Sequence, residues 1–158
     1  MTVAIARLAM RAATAAWCAV LCAVATASCG GATPQVRPKP APVRVEIAAG
    51  KGTNHGGPLY VVVRKLDEAG FLAEDYDAIA DRLFGEPRDP SVLRKAIVRP
   101  GEVVTLEADR DLADGEILGV YFLFSAPGDN WRLAIGDKRI QRVKIVLGAS
   151  GIASAEQQ

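Results

Sequence analysis

The run "PLYVVVRKL", Pro58 to Leu66, sets Tyr60, Val61, Val62 and Val63 in succession. An aromatic residue followed by three β-branched ones fits a pleated backbone better than a helical one, and the run reads as a central β-strand. Upstream of it, Val43, Val45 and Ile47 alternate with Arg44 and Glu46, the period of a half-buried strand. Downstream, Val92–Arg99, Glu102–Ala108, Glu116–Phe124, Trp131–Ile135 and Ile140–Leu147 read as further strands. The last of these sets Val143, Ile145 and Leu147 against Arg142 and Lys144. Turn signals separate them at Pro100-Gly101, Asp114-Gly115, Pro127-Gly128-Asp129-Asn130 and Gly136-Asp137. Seven short strands at this spacing predict an all-β sandwich over residues 43–147.

One segment breaks the strand rhythm. In Phe71–Phe84, Leu72, Tyr76, Ile79, Ala80 and Leu83 recur at helical spacing, with Glu74 and Asp75 in the first turns, where negative charge suits the helix dipole. Gly85 and Pro87 supply a stop. The expectation is a single amphipathic helix between the second and third strands, covering one sheet or an end of the sandwich. Residues 148–158, "GASGIASAEQQ", are small and polar and are expected to form a flexible tail.

The front of the 158-residue chain differs in kind from the rest. Arg7 and Arg11 supply charge, Ala12 to Ala27 contains no charged residue, and small residues close the run. A basic start, a short apolar core and a small-residue exit form a secretory signal, here residues 1–28. A membrane span fits less well, because it needs about 20 strongly apolar residues and this run is shorter and rich in alanine. All 18 carboxylates lie beyond Cys29 and two of the 19 basic residues lie before it, so the processed chain carries 17 basic residues and a net charge of −1. That balance offers no footprint for nucleic acid.

Cys18 and Cys22 would leave with the signal, and Cys29 alone would remain, so no internal disulfide can form. Ala27-Ser28-Cys29 has the small-small-cysteine ending of a bacterial lipoprotein signal, with Thr26 where leucine is usual. This favours acylation of Cys29. Ordinary cleavage after Ala25-Thr26-Ala27 is the competing reading. Four prolines, Pro34, Pro38, Pro40 and Pro42, follow among small and basic residues, so residues 29–42 read as an extended tether. Three acyl chains exceed the two signals that stable membrane attachment needs. Gly30 rather than aspartate after the cysteine points to the outer membrane by the sorting rule of enteric bacteria.

No catalytic set stands out. His55 is the only histidine, sits in a glycine-rich loop, and has no residues at metal-ligand spacing around it. Gly148-Ala149-Ser150-Gly151 approaches a nucleophile elbow, but Ile152 replaces the final glycine. Asp109, Asp111 and Asp114-Gly115 approach a calcium loop, but Ala113 and Asp114 occupy the places of a ligand and of the glycine. Gly50, Gly52, Gly56 and Gly57 lack the lysine-serine ending of a phosphate loop. With no enzyme, small-molecule substrate or cofactor expected beyond a covalent lipid on Cys29, weight shifts to binding. The loop with recognition character is Gly50, Lys51, Gly52, Thr53, Asn54, His55, Gly56 and Gly57, though a solvated connector has the same composition.

The order of these pieces resembles the TssJ family, outer-membrane lipoproteins of the type VI secretion system. The pieces are a lipoprotein seam, a strand, a glycine-asparagine loop, "PLYVVVRKL", "FLAEDYDAI", "IVRPGEVVTL" and "LGVYFLF" running to "NWR". The likeness covers Cys29 to Leu147, and Arg99-Pro100-Gly101 before an alternating strand is its most telling local match. The resemblance implies a transthyretin-like sandwich of two antiparallel sheets with one added helix. It also implies a protein, held on the periplasmic face of the outer membrane, that tethers the trans-envelope complex by binding the periplasmic C-terminal part of the inner-membrane protein TssM. The family contact maps onto Gly50 to Gly57, with Asn54 at the family's asparagine. The loop is shorter here than in familiar members, and Ser125 stands where an arginine often follows the "LGV" strand. A lipoprotein whose sandwich binds a small ligand or the cell wall is the alternative, since fold alone does not select function.

Overall fold

A computed structural model of the chain describes residues 40–85 and 89–158. The signal segment, Cys29, the tether up to residue 39, and Pro87 lie outside the described residues.

The seven expected strands are all present: β1 Val43–Ala49, β2 Leu59–Asp67, β3 Val92–Val98, β4 Val103–Ala108, β5 Glu116–Leu123, β6 Arg132–Ile135 and β7 Arg142–Leu147. They form a sandwich of two four-stranded sheets, ordered β4-β1-β7-β8 and β3-β2-β5-β6, where β8 is Ile152–Gln157. Alternation decides which side of each strand faces the core. Val43, Val45 and Ile47 of β1 point inward and are sealed from solvent, and Val143 and Ile145 of β7 lie beside them. From the other sheet, Val61, Val63, Val120 and Phe122 close the same core. The expected all-antiparallel pairing fails at one place. β1 and β7 run parallel, with Val45 beside Val143 and Ile47 beside Ile145. Parallel neighbours need a long crossover rather than a hairpin, and strands β2 to β6 supply it.

The central strand is apolar on both faces because both are covered. Leu59, Val61 and Val63 face the sandwich core, while Tyr60, Val62 and Leu66 face a second cluster formed with Phe71, Ile79, Leu83 and Tyr121. That second layer is helical, but it is not the single helix the periodicity predicted. α1 spans Glu68–Ala73 and α2 spans Tyr76–Phe84. Asp67 caps α1 by accepting from the Gly70 amide (2.6 Å), and Asp75 caps α2 by accepting from the Ala78 amide (2.8 Å). Asp75 is therefore a cap, not a first-turn charge, and its extended backbone breaks the helix. With the break the apolar stripe changes phase: Phe71 is buried and Leu72, assigned to the buried face by spacing, is 65% exposed.

The break turns Glu74 inward, beneath the helices. Its carboxylate accepts from Arg64 of β2, from the Tyr121 hydroxyl of β5, and from Arg82 of α2 (2.7 Å). Arg64 also donates to Asp89 (3.0 Å) and Ser91 (2.9 Å). Burial, then the hydrogen bond to Glu74, push the Tyr121 hydroxyl well above the usual phenol range. Burial works against ionisation of Asp89, yet the Ser91 hydroxyl and amide and the Arg64 charge together hold its carboxyl below the usual range. Arg132 of β6 locks the end of α1. It donates to the carbonyls of Glu74 (2.6 Å) and Phe71, and its guanidinium lies 4.9 Å from the Phe71 ring centroid. Gly119 is required between them, because a Cβ there would come within 2.7 Å of the Tyr121 ring.

The expected flexible tail is also corrected. Residues 152–157 form β8, antiparallel to β7, and Gln158 exchanges backbone hydrogen bonds with Arg142 (2.8 and 3.0 Å). An edge strand needs only its backbone to pair, so a small, polar sequence with no apolar face to bury joins the sheet without a hydropathy signal. The supposed nucleophile elbow is the tight turn into it, with the Gly148 amide donating to the Gly151 carbonyl (2.8 Å). Amides of residues 152–158 directed at β7 are expected to exchange at least about tenfold more slowly than random coil. Uniform random-coil exchange by NMR across these residues would return them to a tail.

Candidate partner-binding loop at one end of the sandwich

β1 carries the chain from its entry at Val43 to the opposite end, where residues 50–58 cross from one sheet to the other. The strand registers bring three more connections to that end: residues 99–102, 124–131 and 148–151. Backbone hydrogen bonds tie them. The Gly101 amide donates to Ala49 (2.8 Å), the Gly128 amide to Ser150 (2.6 Å) and the Ile152 amide to Asn130 (2.7 Å).

The crossing loop is rigidly held. Thr53–Gly56 makes one short helical turn, within which Asn54 (φ 49°) and His55 (φ 53°) both adopt the left-handed conformation. Asparagine and histidine are among the few side chains that tolerate it, and Gly56 (φ 85°) continues it at no steric cost. The Asn54 side chain explains why the loop stays there. Its Oδ1 accepts from both the amide (2.7 Å) and the hydroxyl (2.9 Å) of Ser125, while its Nδ2 donates to the Pro58 carbonyl (2.7 Å). The Ser125 amide can only donate, so this orientation of the Asn54 amide is the only one that satisfies both ends. Beside it, Thr53 Oγ1 donates to the carbonyl of Leu147 (3.0 Å) at the end of β7.

The eight loop residues therefore divide. Thr53 and Asn54 are buried and build the loop, Gly57 is half-buried beneath it, and Gly50, Lys51, Gly52, His55 and Gly56 face solvent. Lys51 and His55 are the large side chains the loop exposes to solvent. Composition ranked Asn54 with them, but its burial sets it apart. Ser125 carried no sequence signal as a partner of Asn54, since 71 positions separate the two. Among the described residues no group of His, Cys, Asp and Glu converges as a metal site, and no helix is long and apolar enough to cross a membrane.

Comparison with known proteins places this geometry in context. Residues 60–147 match the family model described as "IglE, N-terminal domain". No curated protein matches the chain by sequence. Among solved structures it is similar to the type VI secretion lipoprotein TssJ1 of Pseudomonas aeruginosa, at 22% identity over 75% of this chain and 97% of that one, with a TM-score of 0.55. It is similar too to Serratia marcescens Lip, a membrane-bound component of the type VI secretion system, at 18% identity over 75% and 98%, with a TM-score of 0.54. A third match is a structure described as the T6SS protein TssM C-terminal domain from EAEC, at 18% identity over 72% and 99%, with a TM-score of 0.56. At these identities the likeness is one of fold.

Proposed function

Because this chain belongs to the IglE N-terminal domain family, we propose that it is a type VI secretion lipoprotein that tethers the trans-envelope complex to the outer membrane. In this reading Cys29 carries the lipid and residues 30–42 are the spacer. The sandwich then hangs on the periplasmic face and binds the periplasmic C-terminal part of a TssM-type inner-membrane protein. The role is that of a scaffold, without an enzymatic step. The observation that carries it is the shared fold, because the match spans 97% of the P. aeruginosa lipoprotein and 98% of the S. marcescens one. The rigid loop supports the reading from the other side. A loop ordered before contact loses less conformational freedom on binding, and Lys51 and His55 stand on it already presented.

Intact protein drawn from detergent-solubilised envelopes is expected to bring a TssM-type protein with it. Lys51→Glu combined with His55→Asn should lower that recovery about tenfold while leaving the melting temperature unchanged, since both side chains are exposed and asparagine tolerates the left-handed backbone at position 55. Cys29→Ser should abolish palmitate labelling and release soluble protein. Recovery of intact protein without any large inner-membrane partner would end the tether reading, and continued palmitate labelling of Cys29→Ser would end the anchor assignment.

A further inference from the structure

Exposed apolar side chains gather at the loop end. Among the described residues, Phe84 (60% exposed), Ile97 (45%), Val103 and Val146 lie in the last strand rows or helix turn before it. They fall on two different faces. Val103 and Val146 flank Ala48 on the outer face of the first sheet. The next row there, Thr105, Glu46, Lys144 and Glu156, carries both signs of charge in register, which suits a solvated surface.

The second sheet differs. Ile97 pairs directly with Tyr60, which pairs with Leu123, and the Phe84 ring stands edge-on to Tyr60 with centroids 5.2 Å apart. The end of α2 thus extends an apolar step that no described element covers. Lys95 lies over the Phe84 ring at 5.5 Å, and Arg99 projects from the adjoining turn. Residues 50–58 and 92–102 together hold Lys51, Arg94, Lys95 and Arg99 against a single carboxylate, Glu102, which pairs with Arg99 (3.6 Å). The opposite end of the sandwich mixes both signs, with five carboxylates and one arginine in residues 107–116 and Lys138, Arg139 and Arg142 against Asp137 in residues 136–142. An apolar centre with a polar, mainly basic rim is the anatomy of a specific protein interface.

We propose that the Ile97–Tyr60–Phe84 face, with Lys95 and Arg99 at its rim, is a second docking surface of the loop end and takes a protein surface with an apolar centre and carboxylates around it. This rests on the tether reading, and the occupant is the same periplasmic partner that meets the loop. Continuity with the loop and the excess of basic over acidic side chains across the two argue for one partner spanning both. The basic rim speeds encounter with an acidic face, and Ile97 and Phe84 supply the contact that slows release.

The test uses the full-length lipoprotein in detergent micelles, with the periplasmic C-terminal region of the same organism's TssM-type protein as probe. Ile97→Glu is expected to weaken binding at least about tenfold. Lys95→Glu with Arg99→Glu should weaken it and flatten its salt dependence. Val146→Glu, on the other sheet, should stay within about twofold of wild type. Wild-type affinity in Ile97→Glu would overturn the proposal, and so would equal damage from Val146→Glu. If Ile97→Glu lowers the melting temperature, the Lys95 and Arg99 variant decides in its place. Loss of binding in the Lys51 and His55 variant alone would keep the tether reading and remove this one. No binding by wild type removes both. Dimerisation of the full-length protein that Ile97→Glu abolishes, without a change in partner affinity, would assign the face to a second copy instead.

Discussion

Replacing Glu74 by alanine is expected to destabilise the domain by about 3 kcal/mol, the lower end of what breaking a buried ion pair costs. Glu74 and Arg64 side chains are 7% and 6% exposed, so neither can recover its interactions from water. Alanine leaves the Tyr121 hydroxyl without its carboxylate acceptor and Arg64 with Asp89 and Ser91 alone. That residual pairing is why the lower end applies. The melting temperature should fall by roughly 10–15 °C. Arg82→Ala should cost less than about 1 kcal/mol, because Arg82 is half-exposed and its ion pair is screened. Replacing the cluster together, by Arg64→Met, Glu74→Leu and Tyr121→Phe, should recover much of the loss, since the penalty lies in the charge left unpaired rather than in the pair. Urea unfolding measures all three. A loss below about 1 kcal/mol in Glu74→Ala would mean that apolar contacts alone hold the helices to the sheet.

Asn54→Ala is expected to cost about 2–3 kcal/mol and to free the loop. The side chain is buried and makes three hydrogen bonds, and the Ser125 amide and Pro58 carbonyl would be left without it. Alanine also tolerates the left-handed backbone poorly, which adds on the order of 1 kcal/mol. Asn54→Gly separates these causes, because glycine removes the strain and keeps the lost bonds lost. It should be less damaging than alanine by about that amount. Both variants should raise amide exchange in residues 50–57 and weaken partner binding without touching an exposed contact. His55→Asn, which keeps a side chain that tolerates the left-handed backbone, should instead leave exchange as it is, the difference between a residue that builds the loop and one the loop presents. Unchanged exchange in Asn54→Ala would remove Asn54 from its positioning role.

How far the fold was legible follows the range of each signal. Alternation in β1 and β7 and the apolar run of β2 report burial one strand at a time, and they located every strand of the core. Helical spacing reports only a stripe. It found the helical segment but could not see that Asp75 caps a second helix, because Asp75 reads equally well as a first-turn charge. β8 was invisible because it pairs through its backbone at a sheet edge and buries little. In the candidate site, glycine and asparagine content marks the loop, residues 50–57, as a connection between strands, and it does join β1 to β2. Which of its residues point outward was settled by Ser125 and Leu147, 71 and 94 positions away.

By itself, the sequence determined the all-β class, the places of seven strands, the helical insertion after β2 and the position of the loop between β1 and β2. Each is a matter of local periodicity or turn chemistry, set by the residue's own geometry and by neighbours a few positions away. Only the tertiary structure decided the parallel β1–β7 pair, the eighth strand, the inward turn of Glu74 and the burial of Asn54. The eighth strand is a backbone hairpin on β7 with no hydropathy signal. Each of the others depends on a hydrogen-bond partner or ion brought in from a distant segment, and the cost of burying a polar group unpaired enforces that choice only once the sheets have met.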